Sequence, residues 1–88
     1  MDQDLCLNDV APGERAVVRA LRSGGSMRRR LLDIGLIENT VVECLGRSPW
    51  GDPSAYLIRG AVIALRREDC AEIYVRPVSE KEAQEWGR

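Results

Sequence analysis

The 88-residue chain contains no histidine, no phenylalanine and a single lysine, Lys81. Without histidine, acid–base or nucleophilic catalysis would have to be assembled from carboxylates and thiols. None of these stands at a spacing that marks a catalytic pair, and an enzyme is not expected. Gly24-Gly25 is followed by no Lys-Ser/Thr pair, which excludes a phosphate-binding P-loop. Aromatic residues number only two Trp and two Tyr, too few for a base-stacking surface or an aromatic groove for proline-rich peptides. The three cysteines, Cys6, Cys44 and Cys70, are odd in number and show no Cys-x-x-Cys spacing. A disulfide framework is therefore not expected, and a zinc site would want four ligands. We expect no metal and no cofactor, with the thiols serving as small core residues. No apolar run approaches the roughly 20 residues that span a bilayer. The start of the chain, with Asp2 and Asp4, lacks the basic residues of a secretory signal. The expected location is the cytoplasm.

What is present is closely balanced in charge, 13 basic against 14 acidic residues for a net of −1. A nucleic-acid partner, which calls for a basic excess, is not expected. Twelve of the 13 cations are Arg. Guanidinium forks suit carboxylate and phosphate groups better than a lysine does, although a genomic composition bias accounts for the preference equally well. A chain of this length buries roughly 60% of its unfolded surface and supports one core.

Pro12-Gly13 predicts a turn, with Gly13 supplying the positive φ. Arg15 to Arg22 alternates with period two, and Ala16, Val18 and Ala20 form the expected core face. After Ser23-Gly24-Gly25, Ser26 is expected to cap a short helix from Met27 to Ile34 that Gly35 ends in the left-handed conformation. Met27, Leu31 and Ile34 share its buried stripe. Thr40 to Arg47 is a second strand that turns Val42 and Cys44 inward. Pro49 to Pro53 is a loop, because two prolines four residues apart cannot share a central strand. Tyr56 to Arg59 and Val62 to Leu65 form a hairpin turning at Gly60. Arg66 to Ala71 suits one helical turn, and Ile73 to Val75 is the last strand. Five mostly antiparallel strands with one short helix after the first strand predict a small closed barrel, since closure removes both sheet edges. Beyond a domain at 1–76, residues 77–88 form an acidic tail. There Ser79 and Glu82 make a capping box, and Val78 and Ala83 a hydrophobic staple, for a short helix.

Three features carry candidate partner contacts. Arg28, Arg29 and Arg30 occupy the first turn of the helix, whose N-terminal dipole disfavours each cation by ~0.3–1 kcal/mol when exposed. Either they meet an acidic surface or a phosphate, or burial of the apolar stripe outweighs the cost and they are solvated. Trp50 stands in the Pro/Gly loop, as a binding anchor or as a cover over the barrel mouth. Asp52, in the same loop, is the third. Gly13, Gly35 and Gly60 are assigned structural roles only.

The run Met27-Arg-Arg-Arg-Leu-Leu-Asp-Ile-Gly-Leu36, then Val41 to Leu45, Gly51-Asp52-Pro53, and Arg59-Gly60 before Ala64-Leu65-Arg66 resembles the FeoA family of ferrous iron transport proteins. The likeness extends from about Leu5 to Val75. It implies an SH3-like β-barrel and a cytosolic accessory role in bacterial ferrous iron uptake. The implied partner is a FeoB-type membrane transporter with its cytosolic GTP-binding part. Where the family often carries Pro-Gly before its second strand, this chain has Glu38-Asn39, and Asn tolerates positive φ. The arginines, Trp50 and Asp52 are the expected contacts, and weak self-association stays open. Two alternatives belong to other classes: a metal-sensing module like the C-terminal domain of iron-dependent repressors, and a nucleic-acid-binding small barrel.

Overall fold

The computed structural model describes residues 5–78. In chain order these form β1 (Leu5–Cys6), a 3-10 turn (Leu7–Asp9), β2 (Arg15–Leu21), α1 (Gly25–Asp33), β3 (Val41–Arg47), β4 (Ser54–Ile58), β5 (Ala61–Leu65), α2 (Arg67–Cys70) and β6 (Ile73–Val78). One sheet takes all six strands in the order β1-β6-β2-β3-β4-β5, every neighbouring pair antiparallel.

The expectation of a closed five-stranded barrel is corrected on three points. A sixth strand, β1, is too short to show a period, and it pairs Leu5 with Val75 and Cys6 with Tyr74. Because it comes first, the helix follows the second strand and not the first. The sheet is also open, with β1 and β5 as its edges. β1 stops at Cys6 because the Asp9 carboxylate accepts the Cys6 N–H at 3.0 Å and starts the 3-10 turn. The continuations of the two edge strands then meet in place of a ladder. Asn8 Nδ2 donates to the Arg67 carbonyl at 2.9 Å, and Arg47 Nη2 donates to the carbonyls of Asn8 and Val10 at 3.0 and 3.2 Å. Leu7 and Val10 of that crossing segment and Cys70 of α2 are buried in the core.

The inner face joins Ala16 and Val18 of β2, Val42 and Cys44 of β3, Tyr56 and Ile58 of β4, Leu65 of β5, and Ile73 and Val75 of β6. Ala20, expected to face inward, is exposed. A register shift between Val18 and Ala20 in the β2–β6 ladder inserts Arg19 as an extra residue. It reverses the alternation, as a β-bulge does. Leu21 takes the inward place and packs on the core.

α1 begins two residues earlier than the Ser26 cap implied. Gly24 is its N-cap and no side chain caps it. The predicted stripe is present, with Leu31 buried and Met27 and Ile34 partly buried against the core. At its end Leu36 N–H bonds the Leu31 carbonyl and Gly35 N–H bonds the Leu32 carbonyl, both at 3.0 Å. This is a Schellman motif, closed by the buried Leu31 and Leu36. Gly35 stands at φ +101°, and a Cβ there would lie 2.5 Å from Cδ of Arg59. The glycine therefore serves twice, for the left-handed turn and for the close passage of Arg59. Arg59 and Gly60, at φ +51° and +85°, form the two-residue turn between β4 and β5. Asn39 takes φ +75° in the turn closed by Thr40 N–H to the Ile37 carbonyl at 3.1 Å. Gly13 takes φ +90° in the turn closed by Glu14 N–H to the Ala11 carbonyl.

β6 extends past the expected Val75 through Pro77 to Val78, and pairs Pro77 with Ala16 and Val78 with Arg15. Pro77 lies beyond the described β1–β6 pairs, Leu5–Val75 and Cys6–Tyr74. The expected capping box and helix of the tail fall on residues outside the described ones.

Candidate functional site

Trp50 sits in the loop between β3 and β4, and four hydrogen bonds fix that loop. Ser48 N–H donates to the Pro53 carbonyl at 3.0 Å and Gly51 N–H to the Ser48 carbonyl at 2.8 Å. Asp52 N–H donates to Ser48 Oγ at 3.0 Å. Asp52 Oδ1 in turn accepts the Arg67 N–H at 2.9 Å, at the first turn of α2. The loop is thus tied to itself and to the helix beyond β5. At its tip Trp50 is 89% exposed. It does not fold back over the sheet and so does not cover the core. A large aromatic held in water by a fixed loop loses apolar area to solvent and contributes nothing to the core.

Asp52, expected to meet a partner, spends one carboxylate oxygen inside the molecule. Capping a helix N–H with a carboxylate satisfies an orphan donor and complements the local dipole. Its role visible in the structure is to hold the loop.

Arg28, Arg29 and Arg30 all lie on the exposed surface of α1, with Arg28 partnering the chain itself. Its Nη1 donates to the Leu21 carbonyl at 3.1 Å and fastens the helix to the end of β2. Among the described residues Arg29 and Arg30 have no hydrogen-bond or ion-pair partner. Arg30 falls in the last turn of α1, where a cation is favourable. With the helix starting at Gly25, the unfavourable first-turn placement predicted for all three holds for Arg28 alone.

The structure does not bring the arginines and Trp50 together. Leu21 lies beyond the β2–β3 pair Val17–Val41, and Arg59 at the end of β4 covers Gly35. α1 therefore sits at the Val41 end of β3. The tryptophan loop leaves β3 at Arg47, the other end, a strand length of roughly 20 Å away.

Among the described residues no group of three or more His, Cys, Asp or Glu side chains is placed to hold a metal ion. No described helix is long and apolar enough to cross a membrane. Cys44 and Cys70 are free and buried, and Cys6 is free and partly exposed. Cys70 Sγ donates to Tyr56 Oη at 3.6 Å, and Tyr56 Oη to the Leu7 carbonyl at 3.5 Å. No local signal marks Arg47, whose contacts with Asn8 and Val10 join parts of the chain 39 and 37 residues apart.

A curled antiparallel sheet with one short crossover helix, crossed by its own N-terminal turn and presenting an ordered loop, defines a small SH3-like β domain. The profile of the FeoA domain matches residues 5–77. The chain belongs to the FeoA family, which is associated with ferrous iron transport. It is 36% identical over 76 residues to the Fe(2+) transport protein A/Fe(2+) transporter FeoB fusion protein of Porphyromonas gingivalis. That match covers 83% of this chain and 9% of the relative, so the chain spans about a tenth of the fusion's length. The solution structure of a FeoA-like protein from Clostridium acetobutylicum superposes with a TM-score of 0.81 at 29% identity, over 91% of this chain and 93% of that one. A manganese-dependent transcriptional repressor shares the fold at 19% identity and a TM-score of 0.78, over 89% of this chain and 38% of that one. At that identity the likeness concerns the fold alone.

Proposed function

We propose that this chain is a cytoplasmic, non-catalytic accessory protein of bacterial ferrous iron uptake that docks on the cytosolic GTP-binding part of a FeoB-type transporter. The observation that carries the reading is the relative in which the two proteins are fused. Fusion keeps two domains at a high effective concentration, a benefit that depends on their acting together. On this reading Trp50 is the principal contact, because its exposure and its fixed loop supply a preorganised aromatic anchor. Asp52 supports it by fixing the loop, and Arg28, Arg29 and Arg30 form a second, separate contact to acidic groups of the partner.

The test is calorimetric titration of the chain against the isolated GTP-binding part of the transporter. Trp50→Ala should weaken binding by at least about 30-fold, as loss of a hot-spot residue worth ~2 kcal/mol does, with an unchanged thermal midpoint. Unaltered affinity in that variant would remove the loop from the docking surface.

A further inference from the structure

The sequence treats the two sheet edges differently. Among the described residues β1 offers two, Leu5 and Cys6, before the chain turns away. β5 offers five, Ala61-Val62-Ile63-Ala64-Leu65, with no proline, no charge and no break in its register against β4. Proteins ordinarily blunt such an edge with lysine, proline or a bulge. The two-residue turn makes Ile58 and Ala61 a hydrogen-bonded pair, as are Tyr56–Ile63 and Ser54–Leu65 by alternation. The intervening residues Val62 and Ala64 therefore point their N–H and C=O groups away from β4, toward the open edge. Both are exposed, Val62 to 68%. Charges flank the strand at both ends, Arg59 before it and Arg66 and Arg67 after it, all exposed.

We infer that β5 is a strand-addition site for an extended segment of a partner protein, apolar at alternate positions and carrying carboxylates at both ends. Main-chain bonds to Val62 and Ala64 would supply the pairing, as in other complexes in which a peptide adds to a sheet edge. The flanking arginines select the charge of the segment. A second copy of this chain is disfavoured by the same charges. The antiparallel register that satisfies Val62 and Ala64 of both copies sets Arg59 of one opposite Arg67 of the other, at both ends. The inference does not rest on the transporter reading, because its test uses this chain alone.

The probe is a capped seven-residue peptide of alternating valine and threonine with glutamate at each end, titrated into the full chain and followed by amide NMR. Binding should shift the Val62 and Ala64 amides and slow their hydrogen exchange. A peptide with lysine at both ends should bind about tenfold more weakly, two exposed ion pairs having been reversed. Val62→Pro removes an outward N–H that the fold does not use, and should abolish binding with the remaining amide spectrum unchanged. Should Val62→Pro fail to fold, Arg66→Glu serves, and it should narrow or invert the preference for the acidic peptide. Equal affinity for the two peptides, binding retained in Val62→Pro, no change in preference in Arg66→Glu, or concentration-dependent self-pairing through the same amides would each overturn the proposal.

Discussion

Tyr56 occupies the middle of a core that has no phenylalanine to use. A buried phenol needs a partner for its hydroxyl, and here it stands between the Leu7 carbonyl and the Cys70 thiol. The alternation of β3 was enough to place Cys44 inward beside Val42. Nothing local in the sequence linked Cys70 to a tyrosine 14 residues earlier, because that contact exists only once α2 has folded back over the sheet. Burial has a measurable consequence here. It pushes the Cys70 thiol from 9.0 up to about 11, the Tyr56 hydrogen bond opposing and the charge of Asp69 adding. Burial, with the Cys70 hydrogen bond next, likewise raises the Tyr56 phenol above its ordinary value. Below pH 9 the thiol is neutral in both folded and unfolded chains, and its contribution to stability is complete. Between about pH 9 and 11 the unfolded thiol ionises and the folded one does not, so stability falls as pH rises. Urea denaturation at pH 8 and pH 11 should show this loss, and Cys70→Ala should lose less between the two. Equal losses in both proteins would mean that Cys70 is not the group responsible.

At the level of elements, α1 and the β4–β5 hairpin were legible because each is specified within a few residues. The stripe Met27, Leu31, Ile34 with Gly35 after it encodes a helix and its stop, and Gly60 encodes a tight turn. The elements that escaped depend on distant partners. β1 is a strand only because β6 lies beside it, and the Arg19 bulge is visible only against the β6 register. The expected barrel failed for a related reason: edge closure comes from Asn8 meeting Arg67 and from Arg47 reaching Asn8 and Val10, contacts with no periodic signature. The loop from Pro49 to Pro53 is legible from its two prolines, but the fixing of its tip by the Arg67 N–H of α2 on Asp52 is not. That bond yields a prediction. Asp52→Ala should lower stability by about 1 kcal/mol, the usual cost of removing a helix-capping side chain. Asp52→Asn, which keeps an acceptor oxygen, should lose less than half as much by urea midpoint. Identical midpoints for Asp52→Ala and the parent would show that the capping bond adds nothing to stability.

Across the whole molecule, the candidate contacts fall into two groups at opposite ends of β3, the Trp50 loop beyond Arg47 and the arginines of α1 beyond Val41. The sequence could name these residues because unusual chemistry is visible locally. It could not place them relative to one another, since their separation is set by the length and register of the strands between. The separation constrains the docking reading quantitatively. Sites more than about 10 Å apart with no shared side chains contribute additively to binding. If both groups meet one rigid partner, replacing Arg28, Arg29 and Arg30 by Ala should weaken association with the transporter's GTP-binding part and leave the fold intact. Combining that triple change with Trp50→Ala should then cost the sum of the two effects to within about 0.5 kcal/mol. The arginine effect should shrink as salt rises from 50 to 300 mM and the tryptophan effect should not, because only the former is a screened charge interaction. Unchanged association in the arginine variant would leave these residues as a solvated helix face. A coupling above about 1 kcal/mol between the two changes would mean that the partner bends around the domain and meets both ends as one surface.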